Sequence, residues 1–200
     1  MGSELVLKKI KNGGIGMTAA GVIFVLAGLF FVFIGIVAED VAPMLILGMF
    51  PFIIGVLFLI FGIKNLSHPE RSSCIKHNPD LLRQADELFM NIKYEDKFMI
   101  ISDRVLASKK NITQMCWLED VYLVYQHTQS MNFISYVNEL IIGNKRKKNR
   151  ISISVYCRGK NTVMNIMQLL SQCCPNSRFG YTPENMAYLV EMQDRYEQSI

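Results

Sequence analysis

The residue types able to do chemistry are few in this chain, and they are poorly grouped. Cysteines stand at Cys74, Cys116, Cys157, Cys173 and Cys174. Cys74-x-x-His77 is half of a metal-ligand spacing with no second half, so no metal site is expected. Vicinal Cys173-Cys174 at a helix end has either a redox or acylation role or, like most such thiols, the role of a small apolar filler. His68, His77 and His127 have no acidic neighbour at ligand spacing and read as surface or linker residues. Glu119 and Asp120 are adjacent, which on a strand sends them to opposite faces and argues against a carboxylate pair for acid–base work. Gly13-Gly14-Ile15-Gly16 enters an apolar helix rather than following a strand, so it is not a phosphate-cradling loop. No catalytic residue and no cofactor is expected. An enzyme would need a convergent polar pocket that these spacings do not announce.

One group stands out by charge. Lys145, Arg146, Lys147, Lys148 and Arg150 put five basic residues into six positions, in a turn between two strands. Beside an anionic leaflet each such residue contributes about 1 kcal/mol of attraction. The cluster could therefore hold anionic phospholipid head groups, meet an acidic protein partner, or be no more than a solvated turn. Nucleic acid is not expected, because no aromatic platform is interleaved with the charges. Trp117 lies between an apolar strand and an acidic pair, where it either anchors the sheet end in the core or marks a ligand groove. Met90, Met99, Met115, Met164 and Met167 fall on apolar faces and are expected in the core.

The elements that must position these groups follow from the apolar residues. The chain has 200 residues, 50% hydrophobic and 19% charged, with no charge between Lys11 and Glu39 or between Asp40 and Lys64. That distribution excludes a secreted disulfide miniprotein, a free cytosolic enzyme and a solenoid. A helix of roughly 20 apolar residues crosses the hydrocarbon of a bilayer. Residues 17–38 and 42–63 each reach that length and predict a transmembrane helical hairpin over 17–64, preceded by a cytoplasmic segment, 1–16. Lys8, Lys9 and Lys11 flank the first span and Lys64, Arg71 and Lys76 the second, while the turn carries only Glu39 and Asp40. The positive-inside rule then gives a multi-pass protein of the cell membrane with both termini cytoplasmic. Neither span contains an ionisable residue, which argues against a transporter or proton relay.

Glycines recur every seven residues along both helices: Gly14, Gly21, Gly28 and Gly35 in the first, Gly48, Gly55 and Gly62 in the second. A seven-residue repeat keeps one stripe facing a partner helix, and glycine lets the two backbones approach closely. With the turn centred between Val41 and Ala42, Gly35 is expected opposite Gly48, Gly28 opposite Gly55, and Gly21 opposite Gly62. The stripes either seal the hairpin or form the face of a homo-oligomer.

Residues 65–200 hold 17 Lys and Arg against 14 Asp and Glu, and no run long enough to span a membrane. After a linker and a helix over 65–93, with the apolar face Leu81, Leu82, Ala85, Leu88 and Phe89, the pattern turns to strands. KFMIIS, RVLASK, ITQMCW, VYLVYQH, NFISYVNELIIG and ISISVYC follow one another between polar turns. Two helices close the chain: 161–174, capped by Asn161 or Thr162, and 182–198, where Thr182, Pro183 and Glu184 stand in cap order. Strands followed by helices predict an α+β domain with an antiparallel sheet.

The succession SDRVLAS, ITQMCWLEDVYLVY, ELIIGNKRKKNRISISV and TVMNIMQLLSQC resembles bacterial pleckstrin-homology-like domains over roughly residues 94–175. In those families a strand leads through an apolar–acidic–aliphatic step, here Trp117-Leu118-Glu119-Asp120-Val121, into the next strand. A final helix caps the open end of the barrel, and a two-helix membrane hairpin often stands in front. The resemblance implies a PH-like sheet or barrel domain over 94–200, carried on the hairpin, and no particular activity. The expected function is thus a membrane-anchored, non-catalytic interaction module, with the bilayer, anionic head groups or an unknown protein as partner. The alternative is a small accessory subunit of a larger membrane complex, assembled through the glycine-striped hairpin.

Overall fold

The computed structural model describes residues 1–37, 41–131, 134–155 and 160–199. The chain divides into two compact units, Leu7–Ser73 on one hand and Met1–Val6 with Cys74–Ile200 on the other.

The first unit is a pair of helices, α1 (Gly2–Val37) and α2 (Val41–Ser67), each long and apolar enough to cross a membrane. α2 runs through Pro51 without ending. Residues 1–16 were expected to be a separate segment, but α1 is already helical from Gly2. The glycines at 13, 14 and 16 do not interrupt it. The two glycine stripes do face each other. A Cβ on Gly28 would stand 2.8 Å from the Gly48 carbonyl oxygen, one on Gly21 2.9 Å from that of Gly55, and one on Gly14 3.0 Å from that of Gly62. The pairing is therefore one heptad away from the expected 28–55 and 21–62. Equal repeats on both helices allow registers only in steps of seven, and α1 ends at Val37 while α2 starts at Val41. That places the midpoint of the connection near residue 39, which selects the earlier register. The expected partnership of Gly35 with Gly48 is taken by Gly28, and Gly35 is buried one repeat nearer the connection. The turn residues Glu39 and Asp40 lie outside the described residues.

The second unit is α+β. After the short α3 (Ser73–His77) and α4 (Leu81–Met90) come β1 (Ile92–Glu95), β2 (Met99–Ser102), β3 (Val105–Ser108) and β4 (Met115–Trp117), an antiparallel sheet in sequence order. One turn of 3-10 helix, Leu118–Asp120, leads to β5 (Val121–Met131), β6 (Ile134–Asn144) and β7 (Ile151–Ser154). Then follow α5 (Lys160–Cys173), β8 (Arg178–Phe179) and α6 (Pro183–Gln198). The second sheet has the order β7-β6-β5-β8, antiparallel except for the two-residue β5–β8 pair. Among the described strands the two sheets stay separate and no closed barrel forms, because the 3-10 turn breaks the ladder at the corner between β4 and β5.

The sheets share one core. Met99, Ile101, Leu106 and Cys116 of the first meet Val124, Leu140, Ile142, Ile151 and Ile153 of the second, and Val163, Ile166 and Leu170 of α5 complete the cluster. α4 lies against β2, β3 and β4, and Leu189 of α6 packs with Leu123, Tyr125 and Ile141 on the other face of the second sheet. Covered on both sides, β2 and β3 are buried at every position, which is why they read as continuous apolar runs rather than alternating ones. Exposed only to solvent on one side, β7 alternates as its isoleucines and serines require. At the start of α6 the Thr182 hydroxyl accepts the Asn185 amide at 3.2 Å, the expected cap. α5 begins at Lys160, so Asn161 and Thr162 are inside it rather than capping it. Met99 and Met115 are core residues as expected, whereas Met90, at the last position of α4, is 80% exposed and Met164 of α5 is 58% exposed.

The first residues of α1 belong to this unit. Asp86 of α4 accepts the Ser3 amide at 3.0 Å and the Ser3 hydroxyl at 3.1 Å, supplying from another helix the oxygen an N-cap residue would offer. The Ser3 amide bond, more than any other influence, holds the Asp86 carboxyl below its usual range. Its stabilisation is therefore present above the ordinary carboxylate range and is lost as pH falls through the lowered value. Asp86→Ala should cost about 1 kcal/mol, the usual worth of a cap. Hydrogen exchange at the α1 start should accelerate in the variant at neutral pH. In the unaltered chain the same acceleration should come only in acid; exchange indifferent to both changes would refute the capping role.

Candidate functional site

The basic run forms the turn between β6 and β7, and the fold fastens that turn on three sides. Asn144 ends β6, donates its side-chain amide to the Asn149 carbonyl at 2.5 Å and accepts the Arg146 amide at 2.9 Å. Asn149 and Asn78 each donate a side-chain amide to the Met115 carbonyl at 3.0 Å, and the Gln193 amide of α6 reaches the Asn144 carbonyl at 2.8 Å. A buried amide network of this kind fixes the turn as no solvated loop would be fixed.

The cations themselves are divided. Lys145 pairs with Asp120 of the 3-10 turn at 2.7 Å, and Arg146 with Asp80 at 2.8 Å. Lys147 reaches Asp194 at 2.7 Å and Glu197 at 3.1 Å on α6. Lys148 and Arg150 make no ion pair among the described residues. Three of the five expected contact residues thus tie the turn to α4, to the β4–β5 corner and to α6, and two remain for a ligand. The pairing carboxylates lie tens of residues away in sequence, beyond any local spacing rule. The fold also brings aromatic rings to the turn: Lys145 and Arg146 lie 5.1 and 5.6 Å from the Tyr196 ring centre and Arg150 6.0 Å from that of Tyr125. Between the turn and α6 a small cavity of about 150 Å³ is lined by Tyr125, Arg146, Lys147, Arg150, Leu189 and Gln193.

A second basic place was not anticipated. Lys97 in the β1–β2 turn, Lys109 and Lys110 in the β3–β4 turn, and Ser154 at the end of β7 line a cavity of about 420 Å³ together with Phe98. Lys109 is held to Glu95 at 2.5 Å, while Lys97 and Lys110 are exposed and form no ion pair among the described residues. The sequence signal was present as single lysines flanking apolar strands, but their convergence requires the hairpin registers.

The groups weighed for catalysis are placed apart. Glu119 and Asp120 sit on the 3-10 turn rather than on a strand; Glu119 is exposed and Asp120 is buried against Lys145. Burial raises the Asp120 carboxyl above its usual range, and the Lys145 bond pulls it partly back. Cys116 and Cys174 belong to the core; burial pushes the Cys116 thiol well up and the Cys174 thiol to about 12, so both are protonated and poor nucleophiles at neutral pH. Cys74 is exposed, Cys173 is half-buried, and Cys157 lies outside the described residues. Among the described residues no group of three potential metal ligands comes together. Trp117 is buried beneath two guanidinium groups, Arg83 at 4.9 Å and Arg104 at 5.2 Å from its ring centre.

No protein-family model, no curated protein and no solved structure matches this chain.

Proposed function

We propose that the chain is a membrane-anchored, non-catalytic interaction module that binds anionic head groups. In this reading the two apolar helices cross the cell membrane with both termini in the cytoplasm, as Lys8, Lys9, Lys11, Lys64, Arg71 and Lys76 require of the flanks. The two-sheet unit is then a cytoplasmic domain of PH-like type. The observation that carries the reading is the cavity at Lys97, Lys109 and Lys110, a concave basic place with two cations that no carboxylate neutralises among the described residues. The paired cations of the β6–β7 turn serve the fold first, so the head-group contact moves from the turn to the cavity. The accessory-subunit reading has less support, because the glycines of the two helices face each other within one hairpin.

The test uses the full chain in nanodiscs. Amine-reactive labelling of Lys97 and Lys110 should slow several-fold when neutral phosphatidylcholine is replaced by a mixture with phosphatidylglycerol. The protection should fade at high salt, since exposed charges are screened beyond about 10 Å at 0.1 M. Equal labelling in the two lipids would overturn the head-group reading.

A further inference from the structure

Trp117 ends β4 and is only 4% exposed, yet what covers it is charged. Arg83 comes from α4 and Arg104 from the β2–β3 turn, and each guanidinium carbon lies about 5 Å from the indole centre, which keeps the two within about 10 Å of each other. The Arg104 position is fixed by its backbone, whose carbonyl accepts the Leu118 amide at 2.8 Å beside the tryptophan. Stacking on an indole uses the flat face of a guanidinium. It leaves the edge with its N–H donors free, in the fork that matches an oxyanion.

Three of the carboxylates nearest this pair in sequence are committed elsewhere. Asp80, one turn before Arg83, is bound to Arg146. Asp86 holds the start of α1 through Ser3. Asp103, next to Arg104, is taken by Lys93 and by the Asn91 amide. Glu87, one turn after Arg83, forms no ion pair with it. Neither guanidinium donates to any acceptor among the described residues, and neither does the Trp117 indole N–H. Two exposed guanidinium groups thus border one indole, and none of the three is hydrogen-bonded to an acceptor among the described residues. A single tryptophan could have been covered by one aliphatic side chain; two like charges at one ring are the arrangement that a doubly charged oxyanion would stabilise.

We infer that Arg83 and Arg104, stacked on Trp117, form a binding site for a phosphate monoester group. The site stands apart from the lysine cavity and does not depend on the head-group reading. The phosphate can come from a soluble ligand or from a monoester lipid, and the experiment separates the two.

Trp117 is the only tryptophan in the chain, so its fluorescence reports on this site alone. The full chain in neutral phosphatidylcholine nanodiscs is titrated with inorganic phosphate at constant ionic strength, and separately compared in nanodiscs containing phosphatidic acid. A saturable change with either probe is expected. Arg83→Gln or Arg104→Gln should weaken it at least tenfold, and Arg83→Lys, which keeps charge and stem but loses the fork, should weaken it less. Lys97→Gln with Lys110→Gln should leave it unchanged, which distinguishes this site from the cavity. Response to inorganic phosphate identifies a soluble ligand, and response to phosphatidic acid alone a lipid one. Three results would overturn the site: no change with either probe, the same change with chloride at matched ionic strength, or an unaltered titration in both glutamine variants that retain the native circular dichroism spectrum.

Discussion

Replacing Gly55 by leucine is expected to lower the thermal midpoint of the full chain in detergent sharply. A Cβ at this position would stand 2.7 Å from the Val25 amide nitrogen and 2.8 Å from the Gly21 carbonyl oxygen. Both are backbone atoms of the facing helix and cannot rotate away, so the helices must separate along the whole stripe. Even a methyl group forced into a packed interface costs about 1–3 kcal/mol, and leucine adds three more carbons in the same place. Gly28→Leu should behave alike, because its Cβ would meet the Gly48 carbonyl and the Phe52 amide nitrogen within 2.9 Å. Gly13→Ala and Gly16→Ala are the controls. Nothing lies within 4 Å of either added carbon, and alanine is the better helix former by about 1 kcal/mol in water. Their midpoints should hold or rise. Equal midpoints for Gly55→Leu and Gly13→Ala would mean that the close approach does not exist.

The contrast explains what could be read from residue order. The helical pair was legible because its cause is a property of single positions: charge-free length sets the spans and a seven-residue glycine repeat sets the contact stripe. The register was missed by one heptad because sequence periodicity defines it only modulo seven, and the choice rests on where α1 stops. Most strands were legible from β-branched runs between polar turns. β1 was not, since Ile92, Lys93, Tyr94 and Glu95 are all exposed and carry no buried face to create an alternation. The Leu118–Asp120 turn was hidden for a different reason: an apolar–acid–acid triplet suits a strand end as well as one turn of 3-10 helix, and the corner between two sheets decides between them. The candidate sites were least legible. The basic run was visible as composition, but its partners Asp80, Asp120, Asp194 and Glu197 are brought to it only by tertiary packing. The same holds for the three lysines of the cavity and for the arginines over Trp117, whose chemistry arises from convergence of separate turns and helices.

Lys145→Met should destabilise the chain by about 3 kcal/mol at neutral pH, the cost of stripping one partner from a buried ion pair. The Asp120 side chain is 12% exposed and that of Lys145 21%, so the carboxylate left behind cannot recover its lost partner from water. Methionine keeps the length of the stem, and the backbone bond from the Lys145 amide to the Asp120 carbonyl at 3.1 Å survives the change. The loss is thus electrostatic, and its pH dependence follows. Burial already lifts the Asp120 carboxyl above its usual range, and removing Lys145 lifts it further. A carboxyl raised in the folded state gives stability that is complete below the unfolded value, about 4, and is lost as pH rises through the folded value. The deficit of Lys145→Met should therefore be greatest at neutral pH and shrink toward pH 4, where thermal midpoints of variant and unaltered chain converge. Adding Asp120→Asn should recover most of the loss at neutral pH, because the uncompensated charge is gone. A deficit that is the same at pH 4 and pH 7, and that Asp120→Asn does not relieve, would assign the role of Lys145 to packing against Tyr196 rather than to its charge.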